Sequence, residues 1–149
     1  MKSLTVEIIP HSQQRIGEVG DYWEVGPGAW VFRVSQMSKP VYSLLVLVHE
    51  LVEWVICEAL GIIEPDIFAF DKKWYEDRDS GIPSPYSEAG HDPAAPYHRA
   101  HVLAEIAERM VCLACGESWT DYDHEVMTIG EDTIENISAR IGPKHPGGL

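Results

Sequence analysis

From Val41 to Leu60 the chain is apolar except for Ser43, His49, Glu50, Glu53 and Glu58, and no other stretch constrains the fold as strongly. Ser38 is a capping residue, Pro40 suits a first helical turn, and Gly61 stands where a helix ends. The expectation is a helix of about 22 residues, roughly 33 Å long. Its polar residues do not make a clean solvent face. One turn from His49 and Glu53, on the same side, stand Val46, Cys57 and Leu60. A helix apolar nearly all round is buried, so His49 and Glu53 are expected to point into the interior or into a cleft. His49, Glu50, Glu53 and Glu58 also argue against a membrane span.

The chain has 149 residues, 45% of them hydrophobic, with five Trp and six Tyr. That is enough to bury a core, and one globular domain over 1–149 is expected. The formal net charge of −13 counts against nucleic acid and against an anionic membrane surface, because both need a basic face. Such an acidic balance serves solubility, a protein partner met through the acidic surface, or carboxylates gathered round a cation. The first ten residues lack the apolar run of a signal peptide, and the cysteines are an odd three, Cys57, Cys112 and Cys115. The reading is a cytoplasmic protein without a disulfide framework.

Ahead of the long helix the pattern is that of strands, over about residues 4–36. Leu4, Val6 and Ile8 alternate with other residues up to Pro10, and Tyr22–Val25 and Trp30–Val34 flank the turn signal Gly26-Pro27-Gly28. Two or three antiparallel strands are expected. Behind the helix, over about 38–142, a second helix runs from near Pro65 to about Arg78. Asp79–Pro96, with two Gly and four Pro, is a long loop. A third helix covers about Tyr97–Cys115, stopped by Gly116. Two short ones follow near Trp119–Met127 and Thr133–Ile141, and a flexible tail covers 143–149. The fold class is α+β: a small N-terminal antiparallel sheet followed by a helical bundle.

Residues four apart on a helix share a face with Cβ atoms about 5–6 Å apart, so His49 and Glu53 can converge on one ion. Glu50, one position on, points to the side of that ion, where a water would lie. The run Val48-His49-Glu50-Leu51-Val52-Glu53, behind a strand such as Trp30–Val34, resembles the active-site helix of zincin-like metallopeptidases, whose motif is His-Glu-x-x-His. The resemblance covers about 25 residues. It implies His49 as ligand, Glu50 as general base and Zn²⁺ as cofactor. Glu53 stands where those enzymes carry their second histidine. The chain also looks like a set of short phage and bacterial proteins with the same His-Glu-Leu-Val-Glu run.

The helix beginning near Tyr97 repeats the His-x-x-x-Glu spacing with His101 and Glu105. His101 is the first candidate for third ligand, because it sits on a rigid helix, followed by Asp92, His98 and His91. With His49 and Glu53 it makes two histidines and one carboxylate, a ligand set of catalytic zinc sites that leaves a position for water. Tyr97 and His98, at the start of that helix, are candidates for stabilising an oxyanion. Glu105 and Glu108 read most simply as a solvated face, and Cys57, Cys112 and Cys115 as core residues. The leading expectation is a zinc-dependent hydrolase acting on a peptide or small-molecule substrate through a metal-activated water, with Glu50 as base. Two alternatives stand beside it. One is a two-metal helical enzyme holding Fe or Mn, or a MazG-like nucleotide pyrophosphohydrolase, with His49, Glu50, Glu53, His101, Glu105 and Glu108 as donors. The other is a non-catalytic protein-interaction module.

Overall fold

In the computed structural model residues 1–140 are described, with side chains up to Ile129. Ile141 and the tail expected over 143–149 lie outside the described residues. Strands β1 (Ser3–Ile9), β2 (Gly20–Gly26) and β3 (Ala29–Ser35) form one sheet in the order β1-β3-β2. β2 and β3 are the expected hairpin, antiparallel and closed through Gly28 at φ 73°, a conformation that costs glycine little. β1 differs from the antiparallel expectation and lies parallel to β3, with Val6 beside Phe32. The sheet is therefore mixed. The most apolar strand takes the middle and is paired on both sides. β1 and β2, which carry Glu7, Asp21 and Glu24, take the edges, where charge discourages further pairing.

Alternation along β3 turns Trp30, Phe32 and Val34 inward, and all three are buried. The helix α1 (Pro40–Leu60) packs on that face. Ser43 Oγ joins the two elements, donating to Ser35 O at 2.9 Å and accepting from the Met37 amide at 3.0 Å. The start of α1 differs from the expected cap. Ser38 is engaged instead with Glu125, which accepts from its amide and its hydroxyl, both at 2.6 Å. Gly61 ends the helix in the left-handed region at φ 71°. Nor is α1 enclosed all round: the sheet covers one side and α3 another, while Leu44 and Val55, on one stripe, remain exposed.

α2 (Glu64–Asp79), α3 (His98–Ala114) and α4 (Trp119–Arg140) complete the described chain. α4 is one helix where two short ones were expected. Gly130 lies inside it, and an interior glycine costs a helix only about 1 kcal/mol relative to alanine. The fold class is α+β, a three-stranded sheet followed by four α-helices. Among the described residues no helix is long and apolar enough to cross a membrane.

The core is in two parts along α1. Tyr22, Trp30, Phe32, Cys57, Ile67 and Tyr97 cluster towards its C-terminal half, and Val34, Tyr42, Leu45, Val46, Cys112 and Tyr122 towards its N-terminal half. The polar residues of α1 fall between them. Phe32 is fully buried, stacked on Tyr22 at 5.6 Å and edge-on to Trp54 at 5.5 Å. Phe32→Ala should therefore lower the free energy of unfolding by about 3–5 kcal/mol in urea titration, the range for a truncated core aromatic. A loss below about 1 kcal/mol would contradict this packing.

Candidate metal centre

The packing of α1 against α3 brings His49 and Glu53 to His101. His49 Nε2 lies 3.1 Å from His101 Nδ1, His101 Nδ1 lies 3.0 Å from Glu53 Oε2, and Glu53 Oε2 lies 3.5 Å from His49 Nε2. Zinc–ligand distances of 2.0–2.2 Å put neighbouring donors of a tetrahedral site about 3.3–3.5 Å apart. The three atoms thus form a triangle of the size one small ion needs. Glu53 and His101 are buried, and the His49 side chain is 12% exposed.

Each donor residue is held from behind. His49 Nδ1 is 2.9 Å from Glu108 Oε2, and Glu108 Oε1 accepts from the Tyr122 hydroxyl. His101 Nε2 faces Glu88 Oε1 at 3.4 Å. Tyr22 O–H donates to Glu53 Oε1 at 3.2 Å. Carboxylates behind the far nitrogens of two imidazoles fix tautomer and ring orientation, as they do for metal-ligating histidines. The same contacts also satisfy an ion-free network, with His101 as an imidazolium between Glu53 and Glu88. Burial opposes charge on His101, yet its hydrogen bonds to those two carboxylates push the pKa up to about 9. Burial likewise opposes charge on Glu53, and the bonds from His101 and His49 hold it down to about 2.

Glu50 behaves differently. It lines the same cavity, of about 800 Å³, but makes no hydrogen bond or ion pair with the described residues. Burial, reinforced by the charge of Glu53, raises its pKa well above the usual carboxylate range. Its carboxylate lies over Gly20, where a Cβ would come within 2.3 Å of Oε1. Glu18, which also lines the cavity, likewise lacks a partner among the described residues, and burial followed by the charge of Asp71 raises its pKa.

Of the other expected site residues, Tyr97 lines the cavity with its ring 5.9 Å from that of His101, but its hydroxyl donates to Asp71 Oδ1 at 2.6 Å. His98 faces away: Nδ1 bonds Gly90 O at 2.9 Å, and the residue does not line the cavity. Asp92 stands outside the group because its Oδ1 accepts the Ala94 amide at 2.9 Å, a local turn contact that aspartate makes readily. His91, the last-ranked candidate, lies beside His101 with ring centroids 5.1 Å apart. Glu108 is buried on His49 rather than solvated. Of the cysteines, Cys57 and Cys112 are in the core as expected, while Cys115 is exposed. Sequence reading missed Glu88, Asp71 and Glu18. Glu88-Ala89-Gly90-His91 is itself a Glu-x-x-His run, a signal present in the loop.

No protein-family model, curated protein or solved structure matches this chain.

Two outcomes follow from this geometry. Burial, only partly offset by the Tyr97 hydroxyl, raises the pKa of Asp71 from 3.8 to about 7. Between those values the folded protein keeps a proton that the unfolded chain has released, so stability from this group falls as pH rises through the window. Asp71→Asn keeps the acceptor for Tyr97 without the titration. Urea denaturation between about pH 4 and pH 7 should show a smaller loss of stability with pH in the variant than in the parent, and equal slopes would refute the assignment. The second concerns Gly90, where a Cβ would lie 2.4 Å from His101 Cγ. Gly90→Ala should cost about 1–3 kcal/mol by overpacking, whereas Gly17→Ala, with open space around it, should not. Equal melting temperatures for the two variants would contradict that contact.

Proposed function

We propose that this chain is a divalent-metal protein, zinc in the first instance, that hydrolyses a peptide or small amide. The observation that carries the reading is the His49–Glu53–His101 triangle. Its donors are two imidazole nitrogens and one carboxylate oxygen at ligand spacing, each residue backed by a hydrogen-bonding partner. When bound, the ion supplies Lewis-acid chemistry, polarising a carbonyl and lowering the pKa of a water.

The chain's own residues do the rest. Glu108 with Tyr122, Glu88, and Tyr22 hold His49, His101 and Glu53 in place. Glu50, adjacent and without a partner, takes the proton from the attacking water and returns it to the leaving group. Gly20 leaves its carboxylate the space to lie there. The cavity of about 800 Å³ is large enough for a peptide segment or a small amide. The likeness of His49-Glu50-x-x-Glu53, on a helix that follows strand β3, to the zincin-like active-site helix supports the same assignment of roles. Three unpaired cysteines suit a cytoplasmic setting.

Elemental analysis of the purified protein is the first test, with zinc expected. An ion that binds only the folded state stabilises it, by about 2.7 kcal/mol at one hundred times its Kd. Chelation should accordingly lower the melting temperature of the parent, and His49→Ala should be less stable and respond less to chelator than the parent does. Glu53→Gln should lose the ion held by His49, Glu53 and His101. Glu50→Gln should keep metal and stability while losing on the order of 10²-fold or more of hydrolytic activity towards a peptide library. If Glu50→Gln sheds the ion, Glu50 is itself a ligand. If metal-free parent protein melts at the same temperature as before, the cluster is a hydrogen-bonded core network.

A further inference from the structure

The His101 ring has two sides, and a second set of donors converges on the other one. Its Nδ1 faces His49 and Glu53, while its Nε2 faces Glu88 Oε1 at 3.4 Å. His91 Nε2 lies 3.3 Å from the same Glu88 oxygen, and the donor atoms of Glu88, His91 and His101 all lie within 4.8 Å of one another. The two distances to Glu88 again match the separation of about 3.3–3.5 Å expected between ligands of one tetrahedral ion. His91 is oriented for the role: Ser87 Oγ lies 3.1 Å from Nδ1 and can take that proton, leaving the Nε2 lone pair pointing at the group. Glu105 Oε2, 2.8 Å from His91 Nε2, stands at the edge as a further carboxylate. The loop that carries Glu88 and His91 is pressed onto the ring, since Gly90 between them has no room for a Cβ.

Charge points the same way. Glu53, Glu88, Glu105 and Glu108 are the carboxylates in contact with His49, His91 and His101. With neutral histidines, one divalent ion and the Arg109 guanidinium, 3.6 Å from Glu105, leave one of the four negative charges without a counterpart, and two where His101 bridges as an imidazolate. A second divalent ion balances the two charges that remain in the bridged state. The lining supplies no lysine, and its other arginine, Arg78, stacks on Tyr75.

We propose that Glu88, His91 and His101 Nε2 form a second divalent-cation site, with the His101 ring shared between the two ions as a bridging imidazolate. On double occupancy the ring releases its Nδ1 and Nε2 protons to solvent, and each nitrogen lone pair binds one ion. With one ion on Nδ1 the Nε2–H instead donates to Glu88. The second site shares His101 with the hydrolytic centre but does not depend on Glu50 or on catalysis.

The test is zinc stoichiometry. Zinc chloride is titrated into chelator-stripped full-length protein by calorimetry, in two buffers of different ionisation enthalpy to count released protons, and bound zinc is measured after desalting. Two zinc ions are expected for the parent, one for His91→Ala and one for His49→Ala, with more protons released by the parent than by either variant. His91→Asn, with circular dichroism on all variants, guards against a folding defect at the loop. One ion in the parent, lost in His49→Ala and kept in His91→Ala, overturns the second site and leaves the first. One ion lost in His91→Ala and kept in His49→Ala supports this site and overturns the ligand set proposed for hydrolysis. No bound zinc overturns both.

Discussion

Glu53 is a carboxylate at 4% exposure, with His49 and His101 against one oxygen and the Tyr22 hydroxyl against the other. A charge in that position is tolerated only when paired, and removing one partner of such a group typically costs 3–5 kcal/mol. The surrounding architecture supplies the pairing. α1 carries Glu53 and His49 one turn apart, β2 brings Tyr22 from beneath, and α3 brings His101 from the other side. Two apolar clusters flank the polar layer along α1 and fix how deeply the helix sits on the sheet. A rotation of α3 that removed His101 would leave Glu53 with two of its three partners, so helix docking and charge compensation reinforce each other.

The cavity next to this layer is acidic, and the cations near it are already paired. Arg15 pairs with Asp21 at 2.6 Å and reaches Glu64 at 3.1 Å, and Arg33 pairs with Glu7 on the sheet. Glu18, Glu50 and Asp71 meet this imbalance by holding protons more tightly, because burial and the charge of neighbouring carboxylates raise all three. Glu53 and Glu88 do the opposite: burial disfavours their charge, but hydrogen bonds from histidine keep their pKa values low. Carboxylates of opposite tendency lining one cavity are an arrangement suited to proton transfer, since one class stays charged at neutral pH while the other can give and take a proton. Two glycines enable it. Gly20 lies under Glu50 and Gly90 under His101, each where any side chain would collide with the functional group.

The helix start at Pro40, the left-handed glycine at its end, the β2–β3 hairpin and the inward alternation of Trp30, Phe32 and Val34 were all legible, because each follows from local conformational preference and periodicity. The parallel pairing of β1 was not. Local alternation is the same for a parallel and an antiparallel neighbour, and the choice turns on which strand has the apolar side chains to occupy the middle of the sheet. The continuity of α4 through Gly130 was hidden for a related reason: an intrinsic preference of about 1 kcal/mol is easily overridden by the rest of a long helix.

For the site, sequence alone determined that His49, Glu50 and Glu53 lie on one helix with His49 and Glu53 four residues apart, and that a histidine-bearing helix follows. It left His101, Asp92, His98 and His91 all open as third donor. Tertiary structure alone decided that His101 meets the pair across 52 and 48 residues of chain, and that Asp92 and His98 are turned to their own loop. It also turned Glu108 from a surface charge into the partner of His49, and gave Glu88 and His91 the far side of the His101 ring. Periodicity fixes which residues share a face of their own element. Which faces meet depends on how each helix rotates as it packs, and that is set by the summed burial of side chains drawn from the whole chain.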